Sequence, residues 1–214
     1  MEIKLIKNNS KNLIIFLTGW GCDAGQFGFM KSENYDVLIC YDYTDLNFDF
    51  DFSKYDNFYL ITFSAGVNIG CVLKNRLPKF KKTVAINGNP LANNQYYGLR
   101  KEILEVFAGV TPSNALDFRR QFLVYDDEEF RKFNATQSHR TFESCMQELL
   151  MINQCDSSND QMKYDVAVLS KDDKIFYFER QLEYWSDKSK CVILENTAHF
   201  PFFKLDNFDK ILEL

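Results

Sequence analysis

One serine, set between an apolar strand-like run and a helix-like run, constrains this 214-residue chain more than any other feature. Asn57-Phe58-Tyr59-Leu60-Ile61 reads as a strand and Val67 to Arg76 as a helix, with Thr62-Phe63-Ser64-Ala65-Gly66 joining them directly. A turn that tight strains the serine backbone and leaves its hydroxyl standing free above the edge of a sheet. It also brings the strand and helix backbones together, so small residues are wanted two places before and two places after the serine. Gly66 meets that demand, whereas Thr62 stands where glycine is usual and is expected to crowd the turn. A serine followed two places later by glycine is common by chance, so other parts of the chain must carry the argument.

Apolar runs rich in Ile, Leu and Val fall at about 2–7, 13–17, 36–41, 57–62 and 83–87, and again at 164–169 and 190–194. Between them, residues from roughly 93 to 160 hold no convincing strand but carry helix-like stretches near 95–107, 113–123, 126–134 and 140–153. Strands alternating with helices predict an α/β chain with a mostly parallel sheet and helices on both faces. The helical stretch reads as a cap inserted into one domain spanning 1–214. Asn87-Gly88-Asn89-Pro90 begins the excursion and Asp156-Ser157-Ser158-Asn159-Asp160 marks the return.

A serine hydroxyl becomes nucleophilic when a base takes its proton and an acid orients that base. In α/β-hydrolases the order along the chain is serine, acid, histidine. The chain has two histidines. His199 directly follows the strand-like Lys190-Cys191-Val192-Ile193-Leu194, where a base belongs, while His139 in Ser138-His139-Arg140 reads as a solvated helix start. Asp172 and Asp173 both follow the strand-like Asp165-Val166-Ala167-Val168-Leu169-Ser170. Asp173 is preferred, because Asp-Lys-Ile resembles the Asp-x-Ile/Val found at this acid in many α/β-hydrolases. The oxyanion of an acyl-transfer intermediate needs backbone N–H donors. Ala65, next to the serine, supplies one, and Trp20 in Thr18-Gly19-Trp20-Gly21-Cys22-Asp23 the other, its flanking glycines allowing a sharp turn.

Phe16-Leu17-Thr18-Gly19-Trp20-Gly21-Cys22-Asp23, the elbow Thr62 to Val67 and the ending His199-Phe200-Pro201-Phe202-Phe203 together resemble the BioG family. Its members are pimeloyl-[acyl-carrier protein] methyl ester esterases of biotin synthesis. The resemblance implies an α/β-hydrolase fold with a small helical cap and a triad of Ser64, Asp173 and His199. Trp20 and Ala65 would hold the oxyanion, and the partner would be an acyl carrier protein bearing a pimeloyl methyl ester. Phe202, Arg119, Arg120 and Arg140 become candidate substrate-binding residues, with Arg131 and Lys132 as further cations facing the acidic carrier. The same triad would also serve a thioesterase or a broad short-chain esterase. A non-catalytic carrier-binding protein is the alternative outside enzymes.

Composition narrows the partners. A net charge of −5 argues against nucleic acid, and the short Lys79-Phe80-Lys81-Lys82 cluster reads as a solvated loop. Acidic residues interleave with aromatics from Asp42 to Asp51, which predicts a surface loop with anchoring rings. Phenylalanine is abundant, and Phe107, Phe118, Phe122, Phe130, Phe133 and Phe142 lie in the cap, mostly as packing and partly as an acyl channel. No apolar stretch approaches the ~20 residues of a membrane span, and no leader is read ahead of Met1-Glu2-Ile3-Lys4. The six cysteines show no C-x-x-C pairing, and Cys40, Cys71 and Cys191 read as buried small hydrophobes. These features predict a reduced, cytoplasmic protein whose chemistry uses no metal or cofactor.

Overall fold

The computed structural model describes residues 1–136, 138–155 and 161–214. Asp156 to Asp160, expected to mark the return from the helical excursion, lie outside the described residues. The strands are β1 (Glu2–Ile6), β2 (Asn12–Leu17), β3 (Asp36–Tyr41), β4 (Asn57–Phe63), β5 (Lys82–Ile86), β6 (Val166–Ser170) and β7 (Lys190–Leu194). They form one sheet in the order β1-β3-β2-β4-β5-β6-β7, in which only β1 runs antiparallel to its neighbour. Leu13 to Leu17 in β2 are all fully buried, as a parallel strand covered on both faces requires. Alternate residues divide between two cores: Ile14, Phe16, Ile61 and Phe63 face Phe202, Phe208 and Ile211. Leu13, Ile15, Leu17 and Leu60 face Val67, Cys71 and Trp185 on the other side.

Helix α1 (Ala65–Leu73) and α6 (Phe178–Trp185) cover one face, and α7 (Phe208–Glu213) covers the other. The chain leaves β2 toward β3 on one side and returns to lay β4 on the other. That reversal opens a crevice at the carboxyl ends of β2 and β4, the place where open α/β sheets bind ligands. The loop after β2 and the serine after β4 both lie there.

Between β5 and β6 come α2 (Lys101–Ala108), α3 (Ala115–Phe118), α4 (Asp127–Ala135) and α5 (Phe142–Gln154). Helix α3 runs into a π-helical turn, Arg119–Leu123. The first of these helices starts later than its sequence pattern predicts. Asn94 Oδ1 accepts the N–H groups of Tyr96 and Tyr97 at 2.8 and 3.1 Å, a side-chain turn that competes with the helix. The acidic loop after β3 is anchored by a ring, as expected: Tyr43 is fully buried, its hydroxyl 3.0 Å from the Thr18 and Cys40 carbonyls, while Asp45, Asp49 and Asp51 are exposed. One further expectation is corrected: Cys191 is only half-buried, because β7 is an edge strand. Among the described residues no helix is long and apolar enough to cross a membrane.

Candidate active site

Ser64 sits at the N-terminus of α1 with φ 54° and ψ −122°, a left-side conformation that non-glycine residues seldom adopt. Surrounding backbone enforces it. A Cβ on Gly66 would lie 2.3 Å from the Leu17 carbonyl oxygen and 2.6 Å from that of Thr18. One on Gly88 would lie 2.5 Å from the Ser64 carbonyl oxygen. Helix α1 can therefore press against β2 and β5 only because both residues lack side chains.

The crowding expected of Thr62 does not arise. Its side chain is fully buried and Oγ1 donates to the Val84 carbonyl at 3.3 Å. Its Cγ2 would stand at ordinary contact distance, 3.4 Å, even from a Cβ built on Gly70 one turn along α1, where the tight neighbour is the Tyr164 hydroxyl at 2.9 Å.

His199 Nε2 lies 2.9 Å from Ser64 Oγ, and its Nδ1 lies 2.8 Å from Asp173 Oδ2. Asp173 is buried, and its Oδ1 accepts the Ile175 and Phe176 N–H groups at 2.8 and 3.0 Å. The Gln181 amide approaches Oδ2 at 3.4 Å. With donors converging on both oxygens, Asp173 acts as an acceptor, so Nδ1 carries the proton and Nε2 accepts from Ser64. The imidazole lies between two rings, 5.1 Å from Phe63 and 6.1 Å from Phe176, the latter stacked at 16°. Asp172 is exposed and accepts the Thr197 N–H at 3.2 Å, away from the imidazole. His139 is exposed, as expected.

Ser64 and His199 open onto a cavity of about 500 Å³ whose walls include Trp20, Phe107, Phe118, Leu149 and Ile152. Gly19, Trp20 and Ala65 line its floor beside Ser64. Of the cap phenylalanines, Phe107, Phe118, Phe133 and Phe142 reach the cavity; Phe122 and Phe130 do not. The proposed substrate-binding residues are scattered. Arg119 lines the cavity. Arg120 pairs with Asp127 at 2.6 Å on the surface, and Lys132 pairs with Glu128 at 2.7 Å. Phe202 is fully buried in the ring cluster with Phe16, Phe27 and Phe63, behind the site and not in it. Arg140 borders the cavity, but its guanidinium is bound to Glu148 at 2.5 Å and Asp42 at 2.9 Å.

Some residues that shape the site were not singled out by sequence reasoning. Asn87, fully buried at φ 45°, donates to the His199 carbonyl and to Ser170 Oγ at 2.8 Å each and accepts the Ser170 N–H at 2.8 Å. It thereby ties the histidine loop to the ends of β5 and β6. The Phe200 N–H donates to the Leu123 carbonyl at 2.8 Å, joining that loop to the π-helical turn. The notable signal that was available is the Asn-Gly-Asn-Pro run at the end of β5, where a positive φ favours asparagine.

A parallel sheet with a strand-order reversal, and a strained serine at the β4–α1 turn facing a histidine from the last loop, define an α/β-hydrolase. Residues 1–211 match the family described as pimeloyl-ACP methyl esterase BioG. The chain belongs to that family. It is 28% identical to a crystal structure of BioG from Haemophilus influenzae, with a TM-score of 0.89 over 99% of this chain and 100% of that one. A lipase-esterase related protein from Clostridium acetobutylicum, 19% identical, shares the fold with a TM-score of 0.69 over 99% and 97% of the two chains. The chain is also 27% identical over 195 residues to a malonyl-[acyl-carrier protein] O-methyltransferase of Bacteroides fragilis, covering 89% of this chain but 40% of that protein.

Proposed function

We propose that this protein is a serine carboxylesterase that removes the methyl group from pimeloyl methyl ester carried on acyl carrier protein, a step in biotin precursor synthesis. The observation that carries the reading is the Ser64–His199–Asp173 hydrogen-bonded chain opening onto an apolar cavity, in a chain of the BioG family. His199 Nε2 takes the Ser64 proton as Oγ attacks the ester carbonyl. The Trp20 and Ala65 N–H groups, on the cavity floor and the first position of α1, receive the negative charge on the carbonyl oxygen. Asp173 holds the imidazole tautomer and stabilises its cation. The imidazolium then protonates the departing methoxide, methanol leaves, and water, activated by the same histidine, releases the acyl group.

The aromatic and aliphatic walls suit a methylene chain. The Bacteroides fragilis relative is named for O-methylating malonyl-[acyl-carrier protein], a reaction that makes a carrier-bound methyl ester of the class proposed here as substrate.

Two measurements test this. Ser64→Ala should lower kcat by about 10⁴-fold or more with the fold intact. A panel of carrier-bound dicarboxylate methyl esters, free methyl esters and thioesters should show kcat/KM highest for the carrier-bound methyl ester. Equal rates on free esters, or preference for a thioester, would replace the carrier-specific reading with a broader one.

A further inference from the structure

We infer that Glu148, on helix α5 of the excursion, is a positioning residue for the oxyanion-binding loop: it holds the Gly21 N–H and so fixes where the neighbouring Trp20 N–H points. The inference rests on the esterase reading above. Glu148 is fully buried, which is unusual for a carboxylate on a helix that covers a cavity. Its Oε2 accepts the Gly21 N–H at 2.8 Å, and its Oε1 accepts the Tyr43 N–H at 2.8 Å. The two loops it joins leave adjacent strands, β2 and β3. Arg140 completes the arrangement, donating to Oε2 at 2.5 Å while also binding Asp42 at 2.9 Å and Ser144 Oγ at 2.8 Å. Arg140 is thus the counterion of Glu148 and is not available as a substrate ligand.

Helix α5 also grips the indole of Trp20. Trp20 Nε1 donates to the Cys145 carbonyl at 2.6 Å, one turn before Glu148. Trp20 is consequently held through its side chain and through the peptide that follows it. Gly21 has φ 71°, in a region where glycine moves freely; the Cys22 N–H closes this turn on the Gly19 carbonyl at 3.3 Å, and Glu148 adds an outside partner to its central peptide. From the other direction Gly66 lets α1 abut the Leu17 and Thr18 carbonyls, and the Tyr43 hydroxyl bonds the Thr18 carbonyl at 3.0 Å. Only the Glu148 carboxylate reaches the far end of the loop among these contacts. Burial pushes its carboxyl above the ordinary range, opposed by Arg140 and by the Tyr43 and Gly21 N–H groups. An apolar residue would fill this space at lower desolvation cost, but it could not hold two backbone donors.

The experiment compares the parent enzyme, Glu148→Gln, Glu148→Asp and Ser64→Ala on p-nitrophenyl butyrate. Rates of the parent and the Glu148 variants are expressed per fluorophosphonate-titrated site so that misfolded protein does not count, and that of Ser64→Ala, which has no nucleophile to label, per mole of folded protein. Glutamine offers one acceptor oxygen for two backbone donors, and aspartate keeps the charge but withdraws it from Gly21. Both should lower kcat by about 10- to 100-fold, less than the 10²–10³ for deleting an oxyanion donor outright. KM should stay within about twofold, and affinity for a trifluoromethyl ketone should fall by the same factor as kcat/KM. A Glu148 variant that melts earlier yet keeps kcat per site and inhibitor affinity overturns the positioning role. Absence of turnover by the parent on both p-nitrophenyl butyrate and the carrier-bound methyl ester, or full turnover by Ser64→Ala, overturns the esterase reading and this inference with it.

Discussion

Gly66→Ala tests whether the strained serine is held by backbone contact between α1 and β2. The added Cβ would stand 2.3 Å from the Leu17 carbonyl oxygen, 2.6 Å from the Thr18 oxygen and 2.8 Å from the Leu17 carbonyl carbon. Ordinary contact lies near 3.5 Å, so the first turn of α1 must retreat by about 1 Å. No rotamer change relieves the overlap, because every atom met is backbone. Overpacking of this kind costs about 3 kcal/mol or somewhat more, which lowers Tm by roughly 10 °C for a chain of this size. The same retreat carries Ser64 Oγ away from His199 Nε2, now 2.9 Å distant, and moves the Ala65 N–H with it. A displacement near 1 Å costs about 10²-fold in rate. Gly109→Ala is the internal control: its Cβ would meet nothing closer than 3.4 Å and its φ is −90°, so stability should hold or rise slightly. Differential scanning fluorimetry and ester hydrolysis at saturating substrate read both effects. A Gly66→Ala protein with the parent Tm and kcat would refute the argument that backbone proximity shapes the elbow.

The two aspartates after β6 should separate cleanly: Asp173→Asn is expected to lower kcat by about 10⁴-fold through loss of the imidazole tautomer, and Asp172→Asn to leave it near the parent value. The reverse order in steady-state assays would move the orienting role by one residue. Thr62→Ala should keep activity but cost about 1–2 kcal/mol, because it removes a fully buried methyl and the hydroxyl bound to Val84. Urea melts that show a gain in stability would restore the idea that threonine crowds the turn. Asp209 anchors α7 to the loop before β3. Burial alone would raise its pKa, but the Ser32 hydroxyl, the Glu33 and Asn34 N–H groups and the Asn34 amide outweigh it and hold it below the ordinary value. A lowered folded pKa gives stability that is present above the unfolded value near 3.9 and lost as pH falls through the folded one. Asp209→Asn should therefore cost about 2 kcal/mol at neutral pH, and its deficit against the parent should shrink as the pH drops below about 4. A deficit that stays constant from neutral to acidic urea titrations would show that the charge contributes nothing.

Residues that act through their immediate neighbours in the chain were legible in the sequence. The strand runs are recognisable because a parallel strand covered on both faces must be apolar throughout, as Leu13 to Leu17 are. Ser64, His199 and Asp173 could be picked out because each sits one loop beyond such a run, and strand direction then brings those loops to one edge. Trp20 and Ala65, which line the cavity with Ser64, lie at positions that the same rule marks. Side chains whose role depends on what lies opposite could not be read this way. Phe202 became a candidate site residue through the family resemblance, yet its ring turns into the core among Phe16, Phe27 and Phe63. Arg140 was a candidate substrate-binding cation and proved to be the partner of a carboxylate that has no sequence signature of burial. Thr62 looked misplaced, yet it is fully buried with its hydroxyl bound to the Val84 carbonyl on the neighbouring strand. Local periodicity determines which segments become strands and where their ends point. Whether a charge is solvated, a ring lines a cavity or a turn tolerates a methyl is decided by residues that only tertiary packing brings within 4 Å.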